Sequence, residues 1–157
     1  MPIATARVAG RRQLKFSTLD DILADVERLN QGKVRSLGNW SPGQNLKHLA
    51  IAMNGCLDGI DAKAPLLIRV LASSFLKKRI LTRPMSAGFH LPRSAAALLP
   101  PETSWDDGVQ AVRTALLRMK AEGQRHPHPL LGTLTREQWD QLHCRHCELH
   151  LSFLVPE

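Results

Sequence analysis

Two of the chain's histidines, His146 and His150, lie four residues apart in a stretch whose apolar and aromatic residues recur every three or four positions. Trp139, Leu142, His143, His146, Leu149, His150 and Phe153 carry that recurrence, which is the core-facing stripe of a helix. One turn separates His146 from His150, so their rings project from the same side and can converge on one ion. A lone histidine on such a stripe reads best as a core residue satisfied by a hydrogen bond. Two neighbouring ones would each bury a polar ring, at about 1 to 3 kcal/mol for each group left unpaired. A shared metal ion removes that difficulty for both. His48 is the natural third ligand, at the margin of an apolar helical face in Gln44-Asn45-Leu46-Lys47-His48-Leu49-Ala50. Three imidazoles leave coordination positions for water or substrate, as in a catalytic site, and they suit zinc, nickel and iron alike.

Other groups compete with this reading. Cys144 and Cys147, beside His143 and His146, have the spacing of a zinc or redox motif. No second C-x-x-C and no βαβ pattern accompanies them, so they are read as small core thiols. His126 and His128 fall in His126-Pro127-His128-Pro129, which cannot be helical, and only His128 is placed to approach the metal. Glu148 could orient a ligand histidine, although on a helix it points away from the stripe.

The ligands need rigid helices to hold them. Ser17 or Thr18 opens a first helix to about Gln31, with Leu19, Ile22, Leu23, Val26 and Leu29 on one stripe and Gly32 as its stop. Ser41 as N-cap and Pro42 at the first helical position open a second, running to about Ile60. Its residues Leu46, Leu49, Ala50, Met53, Leu57 and Ile60 form the packed face beside His48. Pro65 to Leu81 reads as an extra amphipathic helix ending in Lys77-Lys78-Arg79, followed by an irregular stretch to Pro101. Ser104 and Asp107 cap a further helix carrying Val109, Val112, Leu116 and Met119, ended by Gly123. Thr135 with Gln138 makes a capping box for the last helix, and Pro156 closes the chain. With no repeat and no convincing strand alternation, an all-α bundle is the expected architecture, as one domain over residues 1–157.

Composition narrows the function classes. The 157 residues, 43% hydrophobic, suffice for a core without staples. Three cysteines in no regular framework suit a reducing cytoplasm, and the first sixteen residues lack the apolar core of a secretory signal. No window is apolar enough for a membrane span, Arg69 interrupting the nearest. The net charge of +7 sits in one segment. Lys63, Arg69, Lys77, Lys78, Arg79, Arg83 and Arg93 lie between Asp61 and Glu102 with no acid among them. A solvated helix end explains such a cluster better than nucleic acid does, and the absence of tyrosine leaves a base-stacking platform poorly supplied.

The chain resembles the DinB/YfiT-like superfamily of metal-binding four-helix bundles, whose signature is one histidine on helix 2 and an H-x-x-x-H pair on helix 4. His48 matches the first and His146 with His150 the pair. Arg11-Arg12-Gln13-Leu14-Lys15-Phe16, Asn45-Leu46-Lys47-His48-Leu49-Ala50, and His128-Pro129-Leu130-Leu131-Gly132 with Gln138-Trp139 are similar to a branch of that superfamily classed as a domain of unknown function. That branch often has a further histidine just before the last ligand, where this chain has Leu149. In such a bundle the helix expected over Pro65 to Leu81 and the stretch to Pro101 form an additional helix and long connection between helices 2 and 3. The resemblance implies a divalent-metal-dependent enzyme, a thiol S-transferase or isomerase in which the metal binds near a low-molecular-weight thiol. The basic segment would then hold an anionic thiol cofactor. Two rivals stay open: metal-assisted hydrolysis by bound water, which needs a general base, and a non-catalytic bundle that stores a ligand or forms a homodimer face.

Overall fold

The computed structural model describes residues 3–60, 65, 68, 70, 72–88 and 93–157. Within them the chain is mostly helical, with α1 at Leu19–Leu29, α2 at Pro42–Asp58, α3 at Lys77–Thr82, α4 at Trp105–Ala121 and α5 at Arg136–Leu151. Among the described residues no helix is long and apolar enough to cross a membrane.

Local chemistry sets where these helices begin. Thr18, Ser41 and Thr135 each accept from the backbone N–H three residues on, while Asp21, Gln44 and Gln138 reach back to the cap's own N–H. Each reciprocal pair satisfies two donors that the first helical turn leaves open. Ser104 caps α4 by accepting from Asp107. The ends fall slightly earlier than periodicity suggests. Gly59, at φ +90°, stops α2 short of Ile60, because a left-handed residue cannot continue the helix. α1 stops at Leu29 with Asn30 as its cap, and α4 stops at Ala121 before Gly123.

The stripes read from the sequence meet in one core. Ile22 and Val26 of α1, Leu46, Leu49 and Met53 of α2, Val109, Val112, Leu116 and Met119 of α4, and Trp139 and Leu151 of α5 are all buried. Among the described helices α2 and α4 pack most extensively, and glycine lets them approach closely. A Cβ on Gly43 would lie 2.2 Å from the Thr103 carbonyl oxygen, and one on Gly108 would lie 2.8 Å from that of Gly43.

The expectation of no strand is corrected in a small way. β1, Val34–Ser36, pairs antiparallel with β2, Leu154–Pro156, in the register Val34 to Pro156 and Ser36 to Leu154. Three-residue strands are too short to show alternation, and Pro156 is tolerated because both strands are edges. The N-terminal segment fastens the same region. Arg12 donates from its backbone to Ser152 (2.9 Å) and from its guanidinium to Asp25 (2.7 and 2.8 Å) and to the Leu154 and Leu151 carbonyls. Burial pushes the Asp25 carboxyl up, but hydrogen bonds from Arg12 and Arg28 outweigh it and leave it below the usual range.

The expected helix over Pro65 to Leu81 lies partly outside the described residues. Its described end is a wide turn, Ala72–Leu76, leading into α3, which continues past Arg79 to Thr82. Here α3 packs on α5, and the Lys77 ammonium donates to the Thr133 carbonyl (3.1 Å).

Candidate metal centre

His48 stands in the second turn of α2, and His146 and His150 on successive turns of α5, so two helices that start at reciprocal caps carry the three rings. Their ring nitrogens include one from each residue that all lie within 4.8 Å of one another. The ring centroids are 4.5 Å apart for His48 and His150, 4.7 Å for His146 and His150 and 5.0 Å for His48 and His146. His48 is buried, while His146 and His150 are enclosed by neighbours yet keep an edge towards solvent.

Hydrogen bonds define what each ring offers. His48 Nδ1 lies 2.7 Å from the Leu98 carbonyl oxygen. A carbonyl only accepts, so Nδ1 carries the proton and the Nε2 lone pair faces inward. There it meets His146 Nε2 at 3.2 Å. Two such nitrogens can share a proton, or a cation can take both lone pairs. Nitrogens held at about 2.0 to 2.1 Å by one tetrahedral zinc lie about 3.3 Å apart, so the 3.2 Å separation fits. His150 makes no ring hydrogen bond among the described residues, so its nitrogens are uncommitted there.

The surroundings keep the rings neutral. Burial lowers the pKa of His48 despite its bond to Leu98, and lowers that of His150 to about 3, aided by the charges of His48 and Arg11. Burial also takes His146 well below the ordinary value, with the other histidines adding to the effect. Neutral imidazole is the form that binds metal.

Sequence reasoning missed two parts of this site. Trp40 stacks on His150 (5.6 Å, 11°) and lies 4.9 Å from His48. Its backbone is held from α2, where the buried Asn45 side chain donates to the Trp40 and Ser41 carbonyls (3.3 and 3.1 Å). The other is the Leu98 carbonyl, which no side-chain pattern reports.

The competing groups fall elsewhere. His143 is buried, stacked on Trp139 (5.5 Å, 18°), and its Nε2 has no partner among the described residues. His128 accepts from the Leu130 and Leu131 N–H groups through Nδ1 (3.0 Å each) and packs against Trp139, outside the triad. Cys144 and Cys147 are buried free thiols, and burial raises the first to about 11 and the second well above its usual value. Such thiols are inert packing groups. Glu148 accepts from the Phe16 N–H (2.6 Å) and pairs with Arg145 (2.7 Å), which ties α5 to the segment before α1. A surface groove of about 590 Å³ between α2 and α4 has none of the three histidines in its lining.

A family model described as protein of unknown function (DUF1569) matches residues 8–157, and the chain belongs to that family. Neither the curated proteins nor the solved structures contain a match.

Proposed function

We propose that this is a DinB-like four-helix bundle, built from α1, α2, α4 and α5, that binds one divalent metal ion through His48, His146 and His150. It uses that ion on a low-molecular-weight thiol, as an S-transferase or isomerase. The observation that carries the reading is the convergence of three imidazole nitrogens within 4.8 Å, two of them 3.2 Å apart. Such a donor set, wholly neutral and nitrogen-based, suits zinc, nickel or iron.

Each residue has a defined task. His48 donates through Nδ1 to Leu98, which fixes its tautomer and presents Nε2. Trp40 covers one face of His150 and limits water there. A bound divalent cation would supply positive charge that favours thiolate over thiol at neutral pH. Hydrolysis by bound water is less well supported, because Glu148 is committed to Phe16 and Arg145. Among the described residues the cluster contains histidines alone.

Metal analysis of protein purified without a histidine tag tests this reading. One equivalent is expected in the wild type and a sharp loss in His48→Ala, His146→Ala and His150→Ala, each with its helical spectrum intact. His143→Phe is the control, keeping a buried ring on Trp139, and should retain its metal. Full content in His146→Ala, or equal loss in His143→Phe, would show that the ligands are wrongly assigned. A thiol-transfer screen with electrophiles should then find activity that follows occupancy.

A further inference from the structure

We propose that α3 and the turn before it form a peripheral docking face for an anionic lipid surface, with Phe75 and Leu76 entering the headgroup layer and Lys78, Arg79 and Arg83 meeting its phosphates. The contact is superficial, since among the described residues no helix is long and apolar enough to cross a membrane. It stands on residues that the metal reading does not use. The face follows from how α3 is held. Leu81 is buried and Ile80 half-buried, so that edge of the helix lies against the fold, and Lys77 is tied there by its bond to the Thr133 carbonyl (3.1 Å). Lys78, Arg79 and Thr82 are exposed, as is Arg83 just beyond the helix. Phe75 sits four residues before Arg79, about one turn, so it leaves from the same outer side. It is 77% exposed, more than any other large apolar side chain among the described residues, and Leu76 beside it is 46% exposed.

None of Lys78, Arg79 and Arg83 enters an ion pair among the described residues, and the sequence supplies no acid between Asp61 and Glu102 to offset them. Exposed cations outside ion pairs occur elsewhere, Lys33 and Arg35 among them. What this face adds is a pair of exposed apolar side chains beside the charges, and that combination selects the partner. The backbone of a nucleic acid would use the cations, but a leucine gives bases no stacking surface. A second copy docking through the same face would set like charge against like. An anionic bilayer takes both parts, the apolar side chains by burial at the acyl boundary and the cations by attraction to its surface potential.

Sedimentation of the full chain with vesicles tests this, using phosphatidylcholine alone and phosphatidylcholine with about one third phosphatidylglycerol. The wild type should bind the anionic vesicles about a hundredfold more tightly, three cations contributing about fivefold each, and the affinity should fall as salt rises. Lys78→Gln with Arg79→Gln should weaken binding about twenty-fivefold. Phe75→Ser should weaken it about tenfold at every salt concentration, because apolar burial is not screened. Lys33→Gln with Arg35→Gln removes the same charge elsewhere and should change the affinity less than about threefold. Equal binding to both vesicles, no binding to either, or an unchanged affinity in Phe75→Ser would overturn the inference. So would a loss in the Lys33 and Arg35 variant as large as that in the Lys78 and Arg79 variant. A gel shift of duplex DNA that the Lys78 and Arg79 variant loses and Phe75→Ser keeps would assign the face to nucleic acid instead. If Phe75→Ser loses helical content, Phe75→Trp is read in its place: binding at least as tight as the wild type supports the inference, since tryptophan favours the interface, and weaker binding overturns it.

Discussion

The His48 ring turns an Nε2 lone pair towards His146 in only one tautomer, and a backbone carbonyl selects it. With Nδ1–H given to Leu98, Nε2 is the lone pair that meets His146. Trp40 acts at one remove, stacking on His150 without offering a ligand atom. Trp40→Leu should therefore weaken metal binding about tenfold, as loss of a supporting contact does, without abolishing it. Competition against a chromophoric chelator measures this, and an unchanged affinity would show that the stack does nothing for the ligand. The pair His146 and His150 was legible because helical spacing alone puts both on one side of α5. His48 was legible as a polar residue beside an apolar face. Trp40 was not, since an aromatic residue just before a helix cap ordinarily signals packing. Nor was Leu98, because a carbonyl has no side-chain signature and its segment has no periodicity. His143 shows the converse. It shares the stripe with His146, yet one turn along the helix its neighbours are Trp139 and the core.

At the scale of elements, the three histidines are positioned by α2 and α5, and both helices start at a reciprocal cap. Thr135→Ala should cost about 1 kcal/mol of folding stability by freeing the first-turn donors of α5, read from urea denaturation of the metal-free chain. Gly43→Ala should cost more, about 3 kcal/mol, because the added Cβ would meet the fixed Thr103 and Ser104 backbone. A loss no larger than that of Thr135→Ala would mean that α2 and α4 can separate freely. The caps and the apolar stripes are local properties of side chains, which is why the sequence places the long helices to within a few residues. The β1 and β2 pair is not local. It joins Val34 to Pro156 across the length of the chain, through strands of three residues, so no window of sequence reveals it. The α3 region shows a middle case, where the start of the expected helix falls outside the described residues and its end at Thr82 lies one residue beyond the expected Leu81.

For the molecule as a whole, burial of neutral histidines makes stability depend on pH. His143 and His128 are depressed by burial to about 3 and about 4, from an ordinary 6.5. Below that ordinary value the unfolded chain takes up protons that the folded chain refuses, so stability is complete above it and falls as pH drops towards the folded values. The metal-free protein should lose thermal stability steadily between about pH 6.5 and 5, before the carboxylates titrate. His143→Phe should flatten that slope, and a melting temperature constant across the window in the wild type would contradict the buried, neutral assignment. The same neutrality leaves the triad ready for a cation. X-ray absorption at the zinc edge of the metal-loaded chain tests that claim most directly. The account predicts one ion with three imidazole nitrogens at about 2.0 to 2.1 Å, a shell that shrinks in His146→Ala, and no sulfur ligand from the protein. A sulfur shell at about 2.3 Å from Cys144 or Cys147, or an unchanged imidazole count in His146→Ala, would contradict it.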